Sequence, residues 1–111
     1  MSELSFREYQ ENSAETAIYP EDTALAYLTL GLTGEAGEIA NKIKKVIRDS
    51  KGELSDELRK DLICEIGDVL WYMSQLVSEL DGDLGDVAKA NIEKLRSRKE
   101  RGVLGGSGDN R

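Results

Sequence analysis

The sequence predicts an all-α fold of about four helices in one domain, and three observations support this prediction. Aromatic residues make up 5% of the chain and there is one proline, which is typical of a helical composition rich in Glu, Lys, Leu and Ala. Apolar residues recur every three or four positions along two long stretches, the period of an amphipathic helix. Capping residues and glycines separate these stretches. At 111 residues, the chain has room for one modest core.

The first two predicted helices lie on either side of Pro20. Ser5-Phe-Arg-Glu8 is a capping-box sequence, so a first helix should begin at Ser5 and run to about Ala17. The residue before a proline is disfavoured in helical conformation, so Pro20 ends it. A second helix should begin near residue 22 or 23 and run to about Arg48. Its apolar stripe consists of Leu25, Leu28, Leu32, Ala36, Ile39, Ile43 and Val46.

Three glycines interrupt this second helix at positions 31, 34 and 37. Each glycine destabilises the helix by about 1 kcal/mol relative to alanine, so some other interaction should favour glycine at these positions. Close helix packing or backbone approach to a ligand would supply one. A glycine-rich phosphate loop is the alternative, but no Gly-Lys-Ser/Thr follows.

Two more helices are predicted after a turn at residues 49–53. Ser55 is a candidate N-cap for a third helix that ends near Leu80, before Asp81-Gly82. Asp83 should cap a fourth helix that runs to about Arg101. The third helix has the stripe Leu58, Leu62, Ile66, Val69, Met73, Leu76 and Leu80. We therefore assign residues 1–102 to the helical domain and 103–111 to a Gly-rich tail, which is either flexible or a cover over a site.

Charge and composition exclude several function classes. The formal net charge is −7, which disfavours nucleic-acid binding. The absence of histidine excludes a Ser-His-Asp triad and histidine-containing zinc or iron sites. Any metal site must therefore use oxygen ligands, which favours Mg²⁺, Mn²⁺ or Ca²⁺. The single cysteine, Cys64, precludes an intrachain disulfide and is expected to be an inert core thiol.

Two pairs of acidic residues are the strongest functional signal. Glu35 and Glu38 lie three residues apart, as do Glu65 and Asp68, so each pair shares a helix face. Each pair also lies one residue before its apolar stripe, so the two pairs would face each other in an antiparallel hairpin. Four converging carboxylates repel unless they are protonated or bind a cation. The alternative is that all four lie on solvated helix faces.

These residues resemble the signature of the MazG-like nucleotide pyrophosphohydrolases of the all-α NTP pyrophosphatase superfamily, in their compact phage and bacterial form. That signature is Glu-x-x-Glu on one helix and Glu-x-x-Asp on the next. The resemblance covers nearly the whole chain. It is carried by Tyr9-Gln10, Thr16, Gly34–Ile39, Lys44-Lys45, Glu65–Tyr72, Asn91–Arg98 and Gly105–Arg111.

The resemblance implies a nucleoside triphosphate pyrophosphohydrolase acting in nucleotide-pool control. It would convert a (d)NTP into the (d)NMP and pyrophosphate through attack of water at the α-phosphate, with a preference for purines such as dGTP or GTP. The implied metal ligands are Glu35, Glu38, Glu65 and Asp68, holding two or more Mg²⁺ or Mn²⁺ ions. Glu38 is the first candidate for the catalytic base and Glu35 the second. A phosphoribosyl-ATP-type pyrophosphohydrolase and a non-catalytic helical oligomerisation or regulatory module are the alternatives.

Basic, amide and hydroxyl side chains are expected to bind the substrate. Lys42 and Lys45 fall on the Glu35/Glu38 face by helical spacing, and Tyr72 lies one turn beyond Asp68. On the fourth helix, one face carries the motif residues Asn91, Lys94 and Arg98.

A homodimer or a dimer of dimers is expected, because two amphipathic helices leave apolar surface that a second copy would cover. The resemblance implies the same, with sites near subunit interfaces. No nucleic acid or membrane is expected as a partner. The polar N-terminal residues do not resemble a signal peptide, so we expect a cytoplasmic protein, in the host cytoplasm if it is phage-encoded.

Overall fold

The computed structural model describes residues 3–111, which contain α-helices and no β-strand. The prediction of an all-α fold with about four helices is therefore confirmed. The helices are α1 (Phe6–Ser13), α2 (Ala24–Ser50), α3 (Asp56–Glu79) and α4 (Leu84–Glu100). Short 3₁₀ turns at Ala14–Thr16 and Glu21–Thr23 flank Pro20. The first α-helix is thus shorter than predicted, because its last turn tightens before the proline.

Side-chain caps define the starts of three helices as the sequence predicted. The Ser5 hydroxyl accepts from the Glu8 N–H at 3.1 Å, and the Glu8 carboxylate accepts from the Ser5 N–H at 3.2 Å. Ser55 caps α3 by accepting from the Leu58 N–H at 3.1 Å, and Asp83 caps α4 by accepting from the Asp86 N–H at 2.9 Å. These bonds satisfy N–H groups that have no partner within a helix.

A tight turn joins α2 to α3 and makes them an antiparallel hairpin. Lys51 and Gly52 adopt φ angles of 52° and 82°, and the Gly52 N–H donates to the Val46 carbonyl at 3.1 Å. This left-handed ending is typical of a helix C-terminus and favours glycine. Because the connection is only residues 51–55, the two helices pack side by side along most of their length.

Helix α1 crosses the far end of the hairpin and fastens it to α4. The Gln10 amide donates to the Ser78 hydroxyl at 2.9 Å and to the Gly82 carbonyl at 3.0 Å, and its oxygen accepts from the Leu84 N–H at 2.7 Å. Ser13 lies 3.2 Å from the Ser74 hydroxyl, and both side chains are buried. Side-chain hydrogen bonds of Gln10 and Ser13 therefore join α1 to α3 and α4.

The apolar core of one chain is small. Among residues 3–111, the buried apolar side chains are Ala24, Leu28, Val46, Leu62 and Leu84. The Cα radius of gyration is 17.0 Å, compared with about 13 Å for a compact chain of about 100 residues. The open shape follows from α4, which packs against α1 and the end of α3 but leaves most of the hairpin uncovered.

The predicted stripes on α2 and α3 are only partly buried within one chain. Leu28, Val46 and Leu62 are buried as predicted, but Leu25 is 50% exposed and Ile66 is 55% exposed. The prediction that Cys64 is a core thiol was wrong, because its side chain is exposed. These positions lie on hairpin faces that no other helix of the described chain covers. In the described part of the chain, no helix is long and apolar enough to cross a membrane.

Candidate metal centre

Three carboxylates converge where the middle of α2 faces the middle of α3. Glu35 extends from α2, and Glu65 and Asp68 extend from α3 at positions i and i+3, which share a helix face. One carboxylate oxygen from each lies within 4.8 Å of the other two. We call Glu35, Glu65 and Asp68 the carboxylate cluster. The matched offset of the two acid pairs from their apolar stripes explains why the hairpin brings these side chains together.

The surroundings of Glu35 in the cluster raise the pKa of its carboxyl group. A hydrogen bond with Glu65 raises the pKa of Glu35, and partial burial and the charges of Glu65, Asp68 and Glu38 raise it further. Like charges held this close disfavour full ionisation. The structure has therefore placed carboxylates where they repel in the absence of a cation.

The donor set of the cluster fits a hard divalent cation. Three carboxylates supply oxygen ligands, and the chain contains no histidine that would favour a softer metal. Three ligands leave coordination positions for water or phosphate oxygens. The ammonium group of Lys42 lies at the edge, 3.6 Å from Glu65 Oε1, and partly balances the negative charge.

Glu38, the fourth acid of the predicted ligand set, lies outside this group of three. It is exposed on α2, one turn beyond Glu35, and its charge contributes to the raised pKa of Glu35. It is thus close enough to influence the cluster, while its carboxylate is not one of the three converging groups. Its assignment as a metal ligand and as a base stays a prediction.

Among the predicted substrate-binding residues, Tyr72 and Lys42 lie beside the cluster. Burial is the main cause that raises the pKa of Tyr72, followed by the charges of Tyr27, Glu35 and Asp68. The phenol is therefore a neutral hydrogen-bond donor at the cluster. Lys45 is exposed further along α2. There, the hydrogen bond from Arg48 is the main cause that lowers the pKa of Asp49, and the charge of Lys45 adds to it.

The predicted residues on α4 make their contacts with the C-terminal tail of the same chain. Arg98 is 4% exposed, and its Nη2 donates to both the carbonyl and the carboxylate of Asp109 at 3.0 Å. Lys94 Nζ lies 3.3 Å from the same carboxylate. Asn91 is exposed and lines a shallow groove next to Lys94. Within one chain, the structure does not bring these three side chains into the carboxylate cluster.

The tail itself forms a compact loop at the end of α4. The Arg111 guanidinium donates to the carbonyls of Val103, Leu104 and Gly108, and Arg101 donates to the Arg111 carbonyl. Gly106 and Gly108 adopt φ angles of 88° and 85° in this loop. The contacts of the tail are with α4, and a role as a cover over the site stays a prediction.

Two aromatic residues near the cluster were not identified as site residues from their spacing. Burial and the charge of Asp68 raise the pKa of Tyr9, so α1 reaches the cluster. Tyr27 lies two turns before Glu35 on α2 and affects the pKa of Tyr72. The spacing of Tyr27, Gly31 and Glu35 at steps of four residues could have identified this face, because such residues share one side of a helix.

Two comparisons with known proteins found a match. The family model of the MazG nucleotide pyrophosphohydrolase domain matches residues 23–103, a range that contains α2, α3, α4 and the whole cluster. The chain is 52% identical over 109 residues to the "Gene 37 protein" of Mycobacterium phage L5. The aligned region covers 93% of this chain and 96% of the phage protein. No solved structure shows significant similarity to the chain.

Proposed function

Because the chain belongs to the MazG nucleotide pyrophosphohydrolase family, we propose that it hydrolyses a nucleoside triphosphate to the monophosphate and pyrophosphate at the carboxylate cluster. The observation that supports this most directly is the convergence of Glu35, Glu65 and Asp68, with oxygens within 4.8 Å of one another. Helices that hold repelling carboxylates together need a compensating positive charge, and divalent cations that also bind the polyphosphate would provide it.

We propose that Glu35, Glu65 and Asp68 hold Mg²⁺ or Mn²⁺, with Glu38 as a further ligand or as the base. Such an ion, when bound, neutralises polyphosphate charge and makes water more acidic. Residues of the chain would carry out proton transfer and phosphate binding. Glu38 is exposed next to the cluster, and we propose that its carboxylate accepts a proton from the water that attacks the α-phosphorus.

We propose that Lys42 and Tyr72 of the same chain bind the phosphates. The Lys42 ammonium already lies at the cluster edge, and the Tyr72 hydroxyl is a neutral donor beside Glu35 and Asp68. Lys42 provides a positive charge and Tyr72 a directional hydrogen bond. Together they would orient the triphosphate for in-line attack, which is a large part of catalysis in phosphoryl transfer.

We propose that a second copy of the chain completes the site, as a homodimer or a dimer of dimers. Exposed apolar residues on the hairpin and α4 support this, as does a groove of about 410 Å³ with apolar walls between α1, α3 and α4. Burying such surface is the main driving force for association. The neighbouring chain would then supply Asn91 and Lys94 to the phosphates, and also Arg98 once it exchanges the Asp109 carboxylate for a phosphate oxygen.

A panel of ribo- and deoxynucleoside triphosphates, each incubated with Mg²⁺ or Mn²⁺, tests the proposed reaction. We expect the monophosphate and pyrophosphate as products, identified by chromatography, with purine substrates such as dGTP turned over fastest. A diphosphate with orthophosphate would contradict attack at the α-phosphate. No hydrolysis of any nucleotide or of phosphoribosyl-ATP would instead favour a non-catalytic oligomerisation module.

Light scattering coupled to size exclusion tests the oligomer, and mixing two variants tests the shared site. Asp68→Asn lacks a cluster carboxylate, and Lys94→Ala lacks a predicted phosphate contact. If a site takes residues from two chains, mixing these variants after subunit exchange restores part of the activity. Mixed variants that stay at the level of either one alone would place Lys94 in the site of its own chain or outside any site.

A further inference from the structure

Gly31 is the glycine of α2 against which the Tyr72 ring packs. A Cβ built at Gly31 would lie 2.7 Å from Tyr72 Cδ1 and still closer to Cε1 and Cζ, well inside van der Waals contact. At Gly34 and Gly37 on the same helix, no atom lies within 4 Å of the corresponding position. The cost of glycine in a helix, about 1 kcal/mol relative to alanine, therefore has a packing reason at Gly31.

This contact lies directly next to the carboxylate cluster. Gly31 precedes Glu35 by one turn on α2, and Tyr72 follows Asp68 by one turn on α3. In an antiparallel hairpin, the register that brings Glu35 opposite Asp68 also brings Gly31 opposite Tyr72. The phenol is consequently close enough for the charges of Glu35 and Asp68 to act on it.

A second contact holds the Tyr72 ring from another side. Trp71 meets it edge-on, with ring centroids 5.1 Å apart and an interplanar angle of 88°, a favourable aromatic geometry. Trp71 is itself anchored, because its indole N–H donates to the Thr16 hydroxyl at 2.8 Å and to the Ser13 carbonyl at 3.1 Å. The ring is thus held between an anchored indole and the bare backbone of α2.

We propose that Gly31 is a positioning residue, whose lack of a side chain fixes the Tyr72 hydroxyl beside the carboxylate cluster, where it binds a phosphate oxygen of the nucleotide. The role of the hydroxyl rests on the proposed function; the packing of Gly31 against Tyr72 does not. A methyl group at position 31 displaces the ring by a distance on the order of 1 Å, because carbon atoms in contact prefer about 3.5–4 Å.

Near-ultraviolet circular dichroism tests the packing without any substrate. Trp71 is the only tryptophan in the sequence, so the tryptophan band of this spectrum reports the surroundings of Trp71, which include the Tyr72 ring. We expect Gly31→Ala to change this spectrum and Gly34→Ala, the matched control on the same helix, to leave it unchanged. A Gly31→Ala spectrum identical to that of the wild type would overturn the proposal.

Kinetics of a double-mutant cycle test the positioning role. We expect Gly31→Ala to lower kcat/KM by roughly 10- to 100-fold, the scale of a misplacement of about 1 Å. In a Tyr72→Ala background the space is open, so adding Gly31→Ala should have no further effect. An equal loss in both backgrounds would overturn the role through Tyr72, because Gly31 would then act independently.

Folding and activity failures are also distinguishable. If Gly31→Ala does not fold, removal of the overlap in Gly31→Ala/Tyr72→Ala should restore the far-ultraviolet helical signal, and failure to restore it would contradict the packing. If the wild type hydrolyses no nucleotide, the proposed function fails, whereas the near-ultraviolet comparison of Gly31→Ala with Gly34→Ala still decides the packing of Gly31 against Tyr72.

Discussion

The acidic α2–α3 hairpin and the basic end of α4 differ in whether their charged side chains have partners of opposite charge. In the hairpin, Glu35, Glu65 and Asp68 repel one another, with Lys42 at the edge as a partial counter-charge. At the end of α4, Lys94 and Arg98 are both paired with Asp109 of the tail. The carboxylate cluster therefore lacks a full counter-charge, whereas Lys94 and Arg98 have one in Asp109 of the same chain. This difference supports the carboxylate cluster as the proposed cation site.

The largest expected effect is the loss of turnover on removing a cluster carboxylate. Asp68→Asn should lower kcat/KM by at least roughly 1,000-fold, because a neutral amide binds a divalent cation poorly and the polyphosphate charge is no longer balanced. Steady-state pyrophosphate release measures this. Glu53→Gln, an exposed carboxylate in the turn between the helices, is the charge-matched control and should keep wild-type activity. Full activity of Asp68→Asn would contradict a catalytic role of the hairpin carboxylates.

A second comparison, within the hairpin, separates Glu38 from the three converging carboxylates. Glu38→Gln should lower kcat by roughly 100- to 10,000-fold, the usual contribution of a general base. Its Mg²⁺ affinity, measured by calorimetry, should stay close to that of the wild type because Glu38 lies outside the group of three. A large loss of Mg²⁺ affinity in this variant would instead make Glu38 a ligand and leave Glu35 as the base.

The sequence predicted the hairpin well because its information is local. Helix caps at Ser5, Ser55 and Asp83 and the stop at Asp81-Gly82 specify where helices begin and end. Once two helices are joined by a short turn, their spacing alone determines which residues face each other. The convergence of Glu35 with Glu65 and Asp68 followed from that spacing.

The position of α4 could not be predicted in the same way. Its direction depends on the Gln10 contacts that join α1 to the α3–α4 connection, 68–74 residues away in sequence. The pairing of Lys94 and Arg98 with Asp109 depends on a glycine-rich tail with no periodicity. Likewise, the partial burial of the apolar stripes at Leu25 and Ile66 reflects surface that one chain does not cover. Periodicity identifies an apolar face but does not identify what packs on it.

At the α4 end, the expected effect is on stability. Arg98→Ala should lower the free energy of unfolding by about 1–3 kcal/mol, because it removes a buried side chain and leaves the Asp109 carbonyl without its donor. Asp109→Asn should have a smaller effect, since the Asp109 carboxylate is exposed and the carbonyl contact remains. Urea unfolding of both variants measures the difference. An Asp109→Asn loss as large as that of Arg98→Ala would make the ion pair the dominant contact.

The smallest expected effect is the pH dependence of the metal-free hairpin. The folded-state pKa of Glu35 lies above its ordinary value of 4.5, so the folded state binds that proton more tightly than the unfolded state. The associated stability is present below about pH 4.5 and is lost as pH rises through the raised pKa. In EDTA, Glu35→Gln should therefore melt at the same temperature as the wild type near pH 4, and at a higher temperature than the wild type at pH 7.

Addition of Mg²⁺ should reverse that order at pH 7. A cation that binds the folded cluster stabilises the wild type by mass action, by about 2.7 kcal/mol at 100 times the dissociation constant, and the Gln variant gains less. The wild type then melts above Glu35→Gln, whereas Arg98→Ala keeps its deficit because its defect lies at the paired end of α4. An order that is the same in EDTA and in Mg²⁺ would mean that the hairpin carboxylates do not bind the ion.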